Sequence, residues 1–188
     1  MTRGTMIYPR TLTAVAALLG LALSGCQPAA GSLAVESPAA VPSSSSSEFA
    51  AVIQAAVEDR NGTVLDTLPA PRLTDGQATA AYRAKRVRDL PVVTRSKAGF
   101  RSSGFWYTSF STTVTVESIE VTGSEAIIHF KELTEEYLAS TANGPSNVPS
   151  GYSLPQTATF LASTDGWQLD SIAPSVHGGG LPMSVVED

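Results

Sequence analysis

Between Trp106 and Tyr137 the chain alternates apolar and polar residues in two long runs separated by a turn. A period of two residues over that length confines the chain to an antiparallel sheet with one buried face. Trp106 to Val121, rich in Thr, Val and aromatic residues, places Trp106, Phe110, Val114 and Val116 on one side. After Ser118 the apolar positions change parity, to Ile119 and Val121. Thr122-Gly123 supplies a hairpin turn, and Glu125 to about Tyr137 returns with Ala126, Ile128 and Phe130 facing one way. A two-residue turn pairs Ile119 with Ala126 but sets Val116 opposite His129. One extra residue at Glu117–Ser118 restores the alignment, pairing Val116 with Ile128 and Val114 with Phe130, so a β-bulge is expected there. A three-residue loop with a bulge at Gly123 is the competing solution.

A loop of Ser, Asn, Gly and Pro, Ala139 to Tyr152, separates this hairpin from a third strand at about Leu154–Ser163. That strand carries Ala158, Phe160 and Ala162 on one face, with Pro155 near its start. Asp165-Gly166 turns into Trp167 and Leu169, aligning Ala162 with Leu169. Ahead of the strands lie two helical segments. Ser45 and Glu48 have capping-box spacing before Phe49, Val52, Ile53, Ala56 and Val57, the i, i+3, i+4, i+7, i+8 pattern of a buried helical face, and Asn61-Gly62 is a stop. Leu68 to Arg72, with two prolines, is a connection. Thr74 and Gln77 repeat the capping-box spacing and open a second helix, expected to end near Leu90 because Pro91 follows. Its expected inner face is Ala80, Ala84 and Val87, with Ala81 alongside. Two helices followed by a four-strand meander with one apolar face make an α+β two-layer domain.

The amino terminus addresses location. Residues 1–25 have a basic start (Arg3, Arg10), an apolar run from Thr11 to Leu23 shorter than a membrane span, and small residues at the end. A start at Met6 instead of Met1 leaves Arg10 as the one positive charge. Leu23-Ser24-Gly25-Cys26 resembles the lipobox of bacterial lipoproteins. The resemblance implies cleavage before Cys26, thioether lipidation of its sulfur and acylation of the new amino terminus, palmitate being the expected acyl group. It thereby implies a membrane-anchored protein on the extracytoplasmic face of the cell. Several acyl chains are needed for stable anchoring, since one gives only marginal binding at roughly 0.8 kcal/mol per buried CH₂. Cys26 is the sole cysteine, so no disulfide is available within the chain.

The expected organisation is a signal peptide at 1–25, a lipidated cysteine and Ala/Pro/Ser-rich tether at 26–47, a globular domain at 48–174 and a loose tail at 175–188. Without residues 1–25 the chain has ten basic and 17 acidic residues, a formal charge of −7. That balance argues against a nucleic-acid partner. Arg83, Lys85, Arg86, Arg88, Arg95, Lys97 and Arg101 nevertheless crowd one stretch, opposed there by Asp89 alone.

The order of elements resembles the cystatin-like and NTF2-like architecture, in which a curved sheet wraps its helices, and bulges of the expected kind create such curvature. Val116 to Tyr137, with Ser-Ile-Glu-Val, Glu-Ala-Ile-Ile-His-Phe and Glu-Leu-Thr-Glu-Glu-Tyr, is also similar to accessory domains of actinobacterial secreted and cell-wall proteins. The later Asp-Gly-Trp-Gln-Leu is similar to their closing hairpin. The resemblance spans about residues 75–172 and implies fold more than activity.

Chemistry-bearing residues are sparse. There is no Gly-x-Ser-x-Gly, His177 stands before three glycines, and His129 alternates to the face opposite Ile128 and Phe130. Two distant histidines without further cysteine make a thin metal-ligand set, so no metal or other cofactor is expected. By parity Glu132 continues the Ala126-Ile128-Phe130 face beside Thr112. It is expected to sit at the mouth of the sheet and reach water. In a cavity lined by Trp106, Phe110 and Phe130 it would instead serve as a general acid or base. Arg83, Lys85, Arg86 and Arg88 could meet anionic headgroups or wall polymers, at ~1 kcal/mol per well-placed cation, or could solvate the helix and pair with Glu132, Glu135 and Glu136. The expectation is a lipid-anchored binding or interaction module of the cell envelope, without catalysis, whose partner is the membrane and an envelope protein or anionic polymer. The alternative is a pocket-bearing enzyme or small-ligand carrier using Glu132.

Overall fold

The computed structural model of the chain describes residues 43–176 and 180–187. The signal peptide, Cys26, most of the expected tether and His177 lie outside the described residues. Helix α1 (Ser43–Gly62) is followed by a 3₁₀ turn (Asp75–Gln77) and helix α2 (Ala80–Ser102). Strands β1 (Phe105–Thr122), β2 (Glu125–Ser140), the two-residue β3 (Gly144–Pro145), β4 (Ser150–Ser163) and β5 (Gly166–Pro174) complete the domain. The sheet is antiparallel in the order β1-β2-β4-β5, with β3 pairing the end of β2. Two helices on one face of an antiparallel sheet give the expected α+β class.

α1 begins at Ser43, five residues ahead of the expected domain start, so Ser45 lies inside the helix and is not its cap. The predicted face is buried throughout: Phe49, Val52, Ile53, Ala56 and Val57 all lie against the sheet. The Phe49 ring meets Phe160 edge-on at 4.7 Å and Trp167 at 5.8 Å. Ala126, Ile128, Phe130, Ala158 and Leu169 complete this apolar half of the core, each excluded from solvent.

α2 departs from expectation at both ends. The Thr74/Gln77 box forms, but it closes the 3₁₀ turn, with Gln77 Oε1 accepting from the Thr74 backbone N–H at 2.9 Å. Ala78 and Thr79 stay extended because they cover the free edge of β5, where the Thr79 N–H donates to the Leu169 carbonyl at 2.9 Å. Thr79 then caps α2, its hydroxyl accepting from Tyr82 N at 3.1 Å. The helix passes through Pro91, at a cost of ~3 kcal/mol, because its second half buries Val93 and sets Phe100 against Tyr107 of β1 at 5.2 Å. The carbonyl that Pro91 leaves without a donor belongs to Val87, an exposed position. The inner stripe is Tyr82, Asp89 and Val93 rather than Ala80, Ala84 and Val87; Val87 is 75% exposed.

The bulge expected at Glu117–Ser118 is present, with Glu117 the extra residue between the pairs Val116↔Phe130 and Ser118↔His129. The turn, however, is Gly123-Ser124, with Thr122 paired to Glu125, which moves each β1 residue two places along β2: Ile119 faces Ile128, and Val116 faces Phe130. Gly123 takes φ +59°, as the first central residue of such a turn requires. A second bulge, at Thr108, turns Tyr107 inward opposite Leu138. Trp106 therefore leaves the face of Phe110, pairs with Ala139, and lies under the Arg101 guanidinium, 4.2 Å from its ring centre. The β4–β5 turn is Thr164-Asp165, so Leu169 faces Phe160 instead of Ala162, and Ala162 is exposed. Residues 180–187, expected to be loose, pack back on the domain: Ser184 is buried, and Val186 accepts from Lys85 Nζ at 3.2 Å.

Truncating the inner face of α1 should cost far more than truncating the outer face of α2. Ile53→Ala is expected to lower the unfolding free energy by about 2–5 kcal/mol, and Val87→Ala to change it by no more than about 0.5 kcal/mol. Urea unfolding of both variants checks this, and equal losses would restore the inward placement of Val87.

Candidate functional site

The inward faces of three elements turn polar at the same end of the domain. On α1 the spacing that buries Phe49 and Val57 continues to Arg60 and Asn61, both buried. On β2 the alternation that buries Ala126, Ile128 and Phe130 continues to Glu132, Thr134 and Glu136. On β4, Gln156 lies between Leu154 and Ala158 on the buried face. β1 brings Thr112 and β4 brings Tyr152 to the rim of the same cluster.

Glu132 is wholly excluded from solvent and both its oxygens are engaged. Oε1 accepts from Asn61 Nδ2, the Thr134 hydroxyl and the Tyr152 hydroxyl, each at 2.8 Å. Oε2 accepts from Arg60 Nη2 and Gln156 Nε2. Arg60 Nη1 reaches Gln156 Oε1 at 2.9 Å, and Asn61 Oδ1 accepts from Ser184 Oγ at 2.8 Å. Burial alone would raise the Glu132 pKa. The Arg60 charge and the hydrogen bonds from Asn61, Arg60 and Thr134 outweigh it and hold the carboxyl below its ordinary range. The placement at the sheet mouth, reaching water, is thus corrected. Alternation put Glu132 on the right face, but α1 supplies a guanidinium that lets it be buried as a charge.

Glu136, next but one along the strand, shows the opposite behaviour. Burial and the neighbouring Glu132 charge push its pKa up to about 7. Tyr107, nearby, is raised to about 12 by burial and by Glu136.

The remaining candidates are dispersed. Phe130 belongs to the apolar core, Trp106 lies under Arg101, and Phe110 borders a separate surface hollow with Glu58 and Arg72. The four residues do not line one cavity. His129 lies beside Thr157, its Nδ1 3.1 Å from the hydroxyl. Among the described residues no group of three His, Cys, Asp or Glu side chains is placed to hold a metal, and no helix is long and apolar enough to cross a membrane. Five residues of the basic stretch have found partners other than Glu132, Glu135 and Glu136. Arg83 donates to the carbonyls of Asp75 and Ala78, and Lys85 and Arg88 pair with Asp89. Lys97 donates to the carbonyls of Thr63 and Leu65 just past the end of α1, and Arg101 pairs with Asp66.

An open cleft of about 390 Å³ lies between the end of α1, the Leu68–Thr74 connection and the first half of α2. Leu68, Pro69, Leu73, Tyr82, Val87 and Leu90 give it an apolar lining. Asp59 holds its outer wall in place, its carboxylate accepting from Arg72 N at 2.8 Å and Leu73 N at 3.0 Å. The sequence reading missed this cleft and the Arg60–Asn61–Gln156 cluster. The signal for the cluster was present, since Arg60 and Asn61 stand at i+11 and i+12 from Phe49 on the same stripe.

No family model matches the sequence, and no curated protein matches it. Among solved structures the chain is similar to the intermembrane space region of the chloroplast protein ARC6, at 14% identity over 63% of this chain and 93% of that one, with a TM-score of 0.30. It is similar to an NTF2-like family protein from Streptomyces avermitilis, at 22% identity over 45% of this chain and 58% of that one, TM-score 0.30. It is also similar to the Kfla4162 protein from Kribbella flavida, at 18% identity over 72% and 95%, TM-score 0.35. One of the three carries the family name that the order of elements suggested. Scores of this size carry no assignment of activity.

Two outcomes follow from the polar cluster. Arg60→Met and Glu132→Leu are each expected to cost about 3–5 kcal/mol, because each leaves one buried charge unpaired. The double variant should cost clearly less than the sum, and additive losses in a urea double-mutant cycle would refute the coupling. For Glu136, the native carboxyl keeps its proton up to about pH 7, whereas the unfolded one loses it near 4.5. The native state then binds more protons across that window, so this group makes stability fall as pH rises, with a slope of up to about 1.4 kcal/mol per pH unit. Urea midpoints from pH 5 to 8 should show the fall in the parent and its loss in Glu136→Gln.

Proposed function

We propose that the chain is a lipid-anchored, extracytoplasmic binding module of the cell envelope, held at the membrane through Cys26 and binding through the cleft between α1, the Leu68–Thr74 connection and α2. The observation that carries this reading is the cleft itself, an apolar hollow left open on a domain in which, among the described residues, every fully buried side-chain nitrogen and oxygen has a hydrogen-bond partner. The resemblance of Leu23-Ser24-Gly25-Cys26 to a lipobox supports the anchor. The alternative, an enzyme using Glu132, needs a carboxyl with a free lone pair or a transferable proton beside substrate. Glu132 has neither, being ion-paired and accepting from five side chains.

Intact mass spectrometry of membrane-extracted protein, beside Cys26→Ser, tests the anchor. A mature chain beginning at lipidated Cys26, released to the soluble fraction in the variant, is the expected result; an unmodified chain cut elsewhere refutes it. A photo-crosslinking residue at Val87, on the cleft rim, should capture a cell-envelope component from intact cells. The same residue at Leu133, exposed on the other face of the sheet, should not.

A further inference from the structure

The charged groups around the cleft differ in what they are doing. Asp59 is engaged by two backbone N–H groups, and Arg83 by the carbonyls of Asp75 and Ala78. Arg86 borders both this cleft and the narrower one that leads to Arg60, Gln156 and Ser184. Its guanidinium makes no hydrogen bond or ion pair with any described residue, although it is half-buried. Burial pulls its pKa down, helped by the Arg60 charge and outweighing the opposing influence of Tyr82, Asp89 and Asp59, none of which bonds to it. A partly dehydrated guanidinium with open donors is a fork for a carboxylate or a phosphate, both of which it can grip with two parallel N–H···O bonds. One i,i+4 step along α2 from Arg86, Leu90 faces the same cleft, with Leu68 and Leu73 across from it. The volume suits a small ligand rather than the twenty or more residues that a stable protein interface takes from each side.

We propose that the cleft binds a single-chain anionic amphiphile, its apolar chain lying along Leu68, Leu73 and Leu90 and its carboxylate or phosphate head on the Arg86 guanidinium. This rests on the reading of the cleft as the binding surface and adds the ligand class. The helix is then not a bilayer-docking face. The ligand is taken one molecule at a time, from solution, into a hollow that has a counter-ion at one end.

The test uses the full mature chain carrying Cys26→Ser, titrated calorimetrically with decanoate, decan-1-ol and decyltrimethylammonium below micelle formation. Decanoate is expected to bind one to one, with decan-1-ol about tenfold or more weaker, as loss of a charge-assisted hydrogen bond implies. The cationic amphiphile should not bind. Arg86→Gln should reduce decanoate to the level of decan-1-ol, with an unchanged urea midpoint because Arg86 lies outside the Glu132 network. Leu90→Asp should abolish binding of both. Equal affinities for decanoate and decan-1-ol, or an unaltered decanoate affinity in Arg86→Gln, would overturn the proposal. So would sedimentation with anionic vesicles in place of free decanoate binding, which would assign the basic helix to the bilayer. If no amphiphile binds while Val87 still crosslinks an envelope component, the ligand class is wrong and the binding module stands; if neither occurs, both fall.

Discussion

The Arg60–Glu132 pair is the constraint on which the rest of the domain depends. A carboxylate wholly removed from water is tolerable only when a cation and further donors replace its hydration, since the effective penalty is several kcal/mol per ion. Here the replacements come from α1 (Arg60, Asn61), β2 (Thr134) and β4 (Tyr152, Gln156), which are far apart in sequence. Satisfying one side chain therefore fixes the end of the first helix against two strands at once. The returning segment joins through Ser184 on Asn61, which explains why residues near the carboxyl end are packed rather than loose.

The pair also bears on register. Side chains alternate along a strand, so a slip of one residue in β2 would turn Glu132 outward and bring Lys131 or Leu133 under Arg60. The bulges at Thr108 and Glu117 are where β1 absorbs its extra residues so that Phe110, Thr112, Val114 and Val116 stay opposite Glu136, Thr134, Glu132 and Phe130. On the helix side, the Gln54 amide meets β1 as a strand would, donating to Thr112 O and accepting from Val114 N, both at 2.9 Å. The first helix is thus bonded to the sheet at two levels, nearly two turns apart. The second helix is held more loosely, by Tyr82, Val93 and Phe100, and the space between it and the proline-rich connection is the cleft.

Much of this was legible in the sequence where one period runs unbroken. The inner stripe of α1 and the bulge at Glu117 follow from apolar positions alone. The turns were each misplaced by one residue because glycine plays different parts in them. Gly123 is the first turn residue, whereas Gly166 is the first strand residue after the turn, at φ +118°. Pairing glycine with the residue before it, as dipeptide turn rules do, shifts both hairpins. The inner face of α2 was obscured by composition. Its buried positions include Asp89, which an apolar count skips, and its alanines face solvent. Pro91 reads as a stop, but the contacts of Val93 and Phe100 beyond it exceed the local penalty, a tertiary effect that no window around the proline contains. Arg60 and Asn61 were hidden for a similar reason. Asn61-Gly62 satisfies a helix-stop rule so well that its place on the buried stripe goes unused, and an arginine on an apolar face makes sense only once a buried carboxylate is known to face it.

The chemical capacity of a site lies in the donors and acceptors that the fold leaves unengaged. By that measure Glu132, the most suggestive residue in the sequence, has none to offer: its lone pairs are occupied by five donors, and its proton is held off by a guanidinium. Glu136 titrates near neutrality, yet it does so among core residues, where its effect is on stability. Arg86 reverses the situation of Glu132. It is partly dehydrated, its donors meet no described acceptor, and it stands at the edge of an apolar hollow. A buried cation is stabilised by an anion brought from outside to the extent that the fold has not already supplied one. Among the described residues Arg60 has an ion-pair partner in Glu132, whereas Arg86 feels Asp89 and Asp59 without an ion pair or hydrogen bond to either, and that difference separates the structural pair from the recognition site proposed at the cleft.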